Sequence, residues 1–272
     1  MDKLLSKSQN IFSKYTVFFF TAVFLLWIKT YIVQLTQFDL GIENSIQQFL
    51  LILNPLGSAI VFLGFAWLFK GKRKYKWLII IDFLLSVLLY ANVLYYRFFN
   101  DFITLPTILQ TQNFGDVSSS VTSLLRPYDV LFFIDILILI GMLALKFVKI
   151  DVTSIKRRSV VAVLLLGIGI SGINLALAEM DRPQLLTRGF DRNYIVKYLG
   201  MYNYTIYDAV LSTKASTQRA LADSDDMAEV INHTQSIHAE PNPKYFGIGK
   251  GMNVILLHLE SIQEFLIDYE LH

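Results

Sequence analysis

A helical membrane protein of five transmembrane helices, followed by a linker and the first strand and helix start of an α/β domain, is the architecture this sequence predicts. Three observations predict it. The 272 residues are 54% hydrophobic and 14% aromatic, with a mean hydropathy of +0.48, too apolar for an ordinary soluble domain. Five segments are long and apolar enough to cross a bilayer core, which takes roughly 20 helical residues. Lys and Arg crowd three of the segments flanking these runs and nearly avoid the others.

The predicted spans are residues 15–33, 46–69, 77–95, 128–148 and 160–177, which makes 1–177 a transmembrane domain. Lys3, Lys7 and Lys14 precede the first span; Lys70, Lys72, Arg73, Lys74 and Lys76 follow the second; Lys146, Lys149, Lys156, Arg157 and Arg158 follow the fourth. Residues 34–45 hold no Lys or Arg, and 96–127 hold only Arg97 and Arg126. The positive-inside rule therefore predicts a multi-pass protein of the cell membrane with a cytoplasmic N-terminus. An odd number of spans carries the C-terminal part outside. The first span is too long for a signal-peptide core and lacks a cleavage site behind it, so it reads as a retained helix. With no cysteine in the chain, disulfides, thiolate nucleophiles and Cys-ligated metals are excluded. The net charge of +2 reflects the inside loops and gives no reason to expect nucleic acid.

Ionisable residues within spans are costly and mark either structure or function. Asp82 reads as an interfacial acid satisfied by the nearby Lys and Arg cluster, whereas Lys29 and Asp135 could pair inside the bundle, although sequence does not show that they face each other. Gly167, Gly169, Ser171 and Gly172 in the fifth span let another helix approach closely. Pro55, after Asn54, predicts a kink in the second span. The loop 96–127 is long enough to carry one or two short helices of its own, expected on the outer membrane surface.

Residues 178–211 read as juxtamembrane interfacial helices, with Tyr194, Tyr198 and Tyr202 four apart on one face. Such a face suits either the headgroup region or packing against protein. Residues 212–250 lose apolar periodicity and read as an extracellular linker. Within it, small residues two apart suggest proteolytic cleavage between Ala215 and Ser216 or, as second choice, between Ala222 and Asp223. Residues 251–272 read as the start of an outside domain. A continuous apolar run at 253–259 has the character of a parallel strand. It delivers Glu260 at its tip, and Ser261 and Glu264 then have the spacing of a helix capping box. Ligands of α/β sheets gather at such strand ends, and a carboxylate suits a hard divalent cation. A charge favoured by the helix N-terminus is the competing reading of Glu260. His258 reads as a partly buried histidine, and His233, His238 and His272 have no ligand spacing.

Three stretches, "DFITLPTILQTQNFGDVSSSV", "AEMDRPQLLTRGFDRNYIVKYLGMYNYTIYD" and "NVILLHLESIQEFLIDYEL", resemble the lipoteichoic acid synthase family of Gram-positive bacteria. The resemblance covers nearly the whole chain, and the second stretch is the most specific. It implies a five-helix anchor, a linker cut by signal peptidase, and an extracellular domain with the sulfatase and alkaline-phosphatase-like fold. It also implies phosphoglycerol transferase activity, from phosphatidylglycerol to a glycolipid or polyglycerolphosphate chain, through a phosphorylated threonine beside Mn²⁺ or Mg²⁺. Among the family's metal and catalytic residues only the glutamate of the first strand has a counterpart, Glu260, which the resemblance makes a metal ligand. The family's threonine nucleophile and remaining ligands have none in these residues, so the chain by itself is expected to be inactive and to hold metal only weakly. A synthase and its primase-like paralogue are equally compatible. Two other readings stand beside this one: a phosphoethanolamine transferase-like enzyme, and a non-enzymatic membrane module that binds lipid, cell-envelope or division proteins.

Overall fold

The structure, a computed structural model, describes residues 14–109, 123–148, 150, 152, 155–187, 189, 191–221, 224–237, 242–253, 255 and 258. Contacts divide the chain into two units, Met1–Thr217 and Gln218–His272. The described residues of the first unit are mostly helical and contain no strand, and its last helix, Met201–Leu221, continues into the first residues of the second unit. Its helices are α1 (Lys14–Thr36), α2 (Ser45–Gly64, continued by a 3₁₀ turn to Leu68), α3 (Arg73–Phe99), α4 (Leu105–Leu109), α5 (Ile134–Ala144, preceded by a 3₁₀ helix from Pro127), α6 (Arg157–Asp181), α7 (Arg192–Leu199) and α8 (Met201–Leu221).

Five of these stretches, Tyr15–Thr36, Ser45–Leu68, Arg73–Phe99, Pro127–Ala144 and Arg157–Asp181, are long and apolar enough to cross a membrane. Each overlaps a predicted span. The third runs longer at both ends, from Arg73 to Phe99; Lys74 is buried over the Tyr15 and Tyr75 rings, and the Tyr96 hydroxyl donates to the Asp39 carbonyl. The fourth stops early. Its chain turns at Lys146, which has a positive φ of 57°. Phe24, Leu84, Leu137, Val161, Leu165 and Ile168 stand exposed on the outside of the bundle, an arrangement favourable in lipid and costly in water.

Local chemistry explains the helix ends. Asn44 caps α2 by accepting from the Gln47 N–H at 2.8 Å, while Gln47 Oε1 accepts from the Glu43 N–H at 2.8 Å, so two otherwise orphaned donors are satisfied. Asn100 ends α3 in the left-handed region, φ 52°, which asparagine tolerates better than most residues. The chain then folds back along α3, and the Ile103 N–H donates to Asn92 Oδ1 at 3.1 Å. That reversal buries Phe102 among Phe38, Tyr96 and Tyr204.

α2 and α6 form the most extensive helix pair, and α1 packs on α2, α3 and α5. Small residues make the α2–α6 seam: a Cβ on Gly57 would lie 2.6 Å from Ser171 Oγ, and one on Gly167 would lie 2.7 Å from Val61 Cγ2. Gly167 and Ser171, one turn apart, do the packing expected of them. Gly169 and Gly172 face open space. Pro55 lies inside α2, and the indole N–H of Trp27 donates to the nearby Ile52 carbonyl at 2.8 Å. A proline removes one ladder donor, and a neighbour's side chain supplies a donor in that turn.

In the second unit the residues expected to form a linker are partly helical, with α9 at Ser224–Ser236. Residues 243–250 form turns, and the described residues 253, 255 and 258 are in no strand. Glu260, Ser261 and Glu264 lie outside the described residues, as does most of loop 96–127 beyond α4.

Candidate functional site

Of the two readings open for the tyrosine face of residues 192–208, Tyr198 and Tyr202 take the packing against protein. The chain forms α7, breaks at Gly200, and continues as α8. Ile195, Val196, Tyr198, Met201, Tyr202 and Tyr204 are all buried. The tip of this hairpin reaches the middle of the bundle. Gly200 abuts Asn54, halfway along α2, and the Tyr202 hydroxyl donates to the Leu85 carbonyl, halfway along α3, at 3.2 Å. A break in the helix at this depth is tolerated because protein surrounds it. The Tyr202 ring packs against Phe62 and the Tyr204 ring against Phe102, edge and tilted contacts of the kind aromatic pairs prefer in a protein interior.

Polar contacts lock the hairpin where it enters. The Tyr198 hydroxyl donates to Asp181 Oδ2 at 2.6 Å and accepts from Gln47 Nε2 at 2.9 Å. Asn174 Nδ2 donates to the Tyr198 carbonyl at 2.8 Å, and Lys197 Nζ donates to the Gly41 carbonyl at 2.7 Å. Burial, and then the adjoining Asp181 carboxylate, pushes the Tyr198 phenol up to about 12. Burial raises Tyr204 and Tyr207 as well. On α8, Ser58 Oγ donates to Asn203 Oδ1 at 3.1 Å, and the Leu105 N–H donates to Asp208 Oδ2 at 2.6 Å. Arg192 pairs with Asp101.

A second lock joins α3 to the 3₁₀ helix before α5. Both terminal nitrogens of Arg97 donate to the Asp129 carboxylate, each at 2.8 Å, and the Tyr90 hydroxyl and Arg126 N–H donate to the same group at 2.9 Å. Such a bidentate pair adds geometric specificity to the contact between the two elements, although the buried Arg97 Nε has no hydrogen-bond partner among the described residues.

Deeper in the bundle Lys29 pairs with Asp135, as their placement in the sequence allowed. Lys29 Nζ also donates to Ser86 Oγ at 2.5 Å and to the Phe132 carbonyl at 3.1 Å. The pair borders a cavity of about 350 Å³ between α1 and the α5 region, lined mostly by apolar residues such as Leu25, Ile32 and Leu131, with Thr36 and Gln37 among the rest. Asp82 does not meet the Lys and Arg cluster at the helix end, contrary to expectation. It is 0% exposed, neither of its carboxylate oxygens has a hydrogen-bond partner, and its charged neighbours are Asp135 and Lys29. The helical turn decides this: Asp82 shares the inward stripe of Leu78, Leu85, Ser86 and Leu89.

Among the described residues no group of three His, Asp or Glu could hold a metal ion. Ala215 and Ser216 lie inside α8, and Ala222 and Asp223 lie outside the described residues. The arrangement is thus a braced anchor: a five-helix bundle wedged at one end by an inserted hairpin.

Fold and hydropathy define a multi-pass helical membrane protein. Residues 1–221 match the lipoteichoic acid synthase N-terminal domain, and the chain belongs to that family. Similar proteins include lipoteichoic acid synthase 1 of Bacillus subtilis (strain 168), 50% identical over 97% of this chain and 41% of the relative. Lipoteichoic acid synthase 2 of the same organism is 54% identical over 93% of this chain and 39% of the relative. Lipoteichoic acid synthase of Staphylococcus aureus (strain USA300) is 41% identical over 92% and 39%. The chain therefore spans about two-fifths of the length of these curated relatives. No solved structure matches it.

Proposed function

We propose that this chain is the membrane-anchoring portion of a lipoteichoic acid synthase-type phosphoglycerol transferase that uses phosphatidylglycerol as donor and a glycolipid or polyglycerolphosphate chain as acceptor. The observation that carries the reading is identity of 41–54% to three such synthases across nine-tenths or more of the chain. In this reading the bundle holds its hairpin end outside. Supporting that orientation, Arg97, Arg182 and Arg192 at the hairpin end are each paired with a carboxylate. The cations of the opposite end, Lys70, Lys72, Arg73, Lys156, Arg157 and Arg158, follow the positive-inside pattern.

Transfer belongs to the full-length polypeptide. Glu260 would give Mn²⁺ or Mg²⁺ one hard oxygen ligand, and the cation would supply charge neutralisation at phosphorus. One carboxylate holds such an ion weakly, so residues 1–272 alone are proposed to be inactive. The deciding experiment assays the full-length protein in lipid for Mn²⁺-dependent glycerol phosphate transfer, with Glu260→Ala beside it. Transfer abolished by the substitution supports the reading. Transfer of phosphoethanolamine, or transfer untouched by the substitution, overturns the substrate or the role of Glu260. A reporter fused after residue 241 that is active only in the cytoplasm would overturn the orientation.

A further inference from the structure

Asp82, Lys29 and Asp135 bring two carboxyl groups and one ammonium together in the middle of the bundle, from three different helices or their junctions. The Asp135 and Lys29 side chains are 2% and 9% exposed, and Asp82 is wholly enclosed. Lys29 spends its donors on Asp135, Ser86 and the Phe132 carbonyl. Ser86 Oγ, which could otherwise have served Asp82, donates to the Asp82 backbone carbonyl at 2.8 Å. Tyr202 at the hairpin tip faces the same cluster but donates to the Leu85 carbonyl. Both oxygens of Asp82 are left without a donor.

Charge counting then matters more than any single contact. With both carboxyls ionised the cluster would carry a net charge of −1 in a membrane interior, which costs several kcal/mol or more. One proton removes that charge. A carboxylic acid also gains a donor, which a carboxylate lacks. We propose that Asp82 and the Lys29–Asp135 pair form an intramembrane proton-binding site that holds one proton at neutral pH, beneath the hairpin tip at Tyr202. The bond broken on release is the carboxyl O–H, and the proton leaves to water or to a base that replaces it.

The proposal predicts proton stoichiometry from charge alone. Infrared spectra of the chain in phosphatidylcholine nanodiscs at pH 7, recorded in H₂O and D₂O, should show a carboxylic acid C=O band that shifts on deuteration. Asp82→Asn and Asp135→Asn each leave one carboxylate opposite Lys29, so each variant should lose the band. Lys29→Met leaves two carboxyls and no cation, so the band should roughly double. The first two substitutions are nearly isosteric, which keeps the test valid if Lys29→Met does not fold. A wild-type spectrum without the band, or a band that persists in both asparagine variants, overturns the proposal. So does a band that disappears when sodium replaces choline at constant pH, since the ligand would then be a metal cation.

Discussion

Gly200 sits against Asn54 with no space for a side chain between them: a Cβ on Gly200 would lie 2.6 Å from Asn54 Cγ. Its backbone, at φ 77° and ψ 158°, occupies a region nearly exclusive to glycine. Gly200→Ala must therefore both strain the turn and displace Asn54, and each effect costs about 1–3 kcal/mol. The purified chain should melt several degrees lower. Adding Asn54→Ala relieves the overlap but not the strain, so the double variant should regain part of the loss. A single variant as stable as wild type would show that the hairpin tip is not seated here.

The seam between α2 and α6 gives a second prediction. A Cβ on Gly167 would approach the Val61 N to 3.0 Å, and α6 has few contacts beyond α2 and α7. Gly167→Leu should push the two helices apart and cost about 1–3 kcal/mol. Gly169→Leu, on the same helix but facing open space, should be close to neutral. Thermal unfolding of the two variants in one detergent separates them, and equal effects would contradict the seam.

The spans were legible because twenty-residue apolar runs have no other stable home, and the pairing of Lys29 with Asp135 was visible as a possibility. Asp82 was misjudged from its distance along the chain to Arg73 and Lys76. The inward stripe of Leu78, Leu85 and Leu89 was the signal that its carboxyl turns inward instead. The hairpin was harder. Tyrosines suit a headgroup layer and a protein interior equally well, and only Gly200, set between two amphipathic runs, marked a reversal. Long-range partners such as Gln47 for Tyr198, 151 residues apart, leave no periodic trace in sequence.

Arg97 and Asp129 test the second lock. Their side chains are both largely buried, so Arg97→Met leaves a carboxylate with only Arg126 N–H and Tyr90 O–H as donors. Loss of one partner of a buried pair costs about 3–5 kcal/mol. Arg97→Lys keeps the charge but not the two-pronged geometry and should fall between. Asp129→Asn combined with Arg97→Met should be less destabilised than the sum of the single variants; strict additivity in that cycle would deny the coupling.

Alkaline pH should weaken the fold partly through the hairpin's tyrosines. Tyr198, with its phenol pushed up to about 12 from an unfolded value near 10, keeps its proton in the folded chain where the unfolded chain loses it. That stabilisation is fully present below pH 10 and is lost as pH rises through about 12. Tyr204 and Tyr207, also raised, act in the same direction. Tyr198→Phe should flatten part of the fall in melting temperature over that window, and a curve unchanged from wild type would assign it elsewhere.

Cleavage between Ala215 and Ser216 must contend with α8, which runs unbroken from Met201 to Leu221. Thr217 Oγ1 donates back to the Thr213 carbonyl at 2.9 Å, so the bond to be cut lies inside a formed helical turn. Peptidases bind extended chain, because a helical backbone hides its donors and acceptors in its own ladder. Cleavage there then requires local unwinding, and its rate should follow helix propensity. Lys214→Gly, at the unconstrained middle position of the Thr213-Lys214-Ala215 site, favours unwinding by about 0.7 kcal/mol, or about threefold. Lys214→Ala should slow release instead. Mass spectrometry of fragment shed by cells expressing the full-length protein reads both the rate and the new N-terminus. A Ser216 terminus with that threefold response fits the first position, whereas a Asp223 terminus indifferent to residue 214 moves the cut to the second. A terminus at neither residue would remove both.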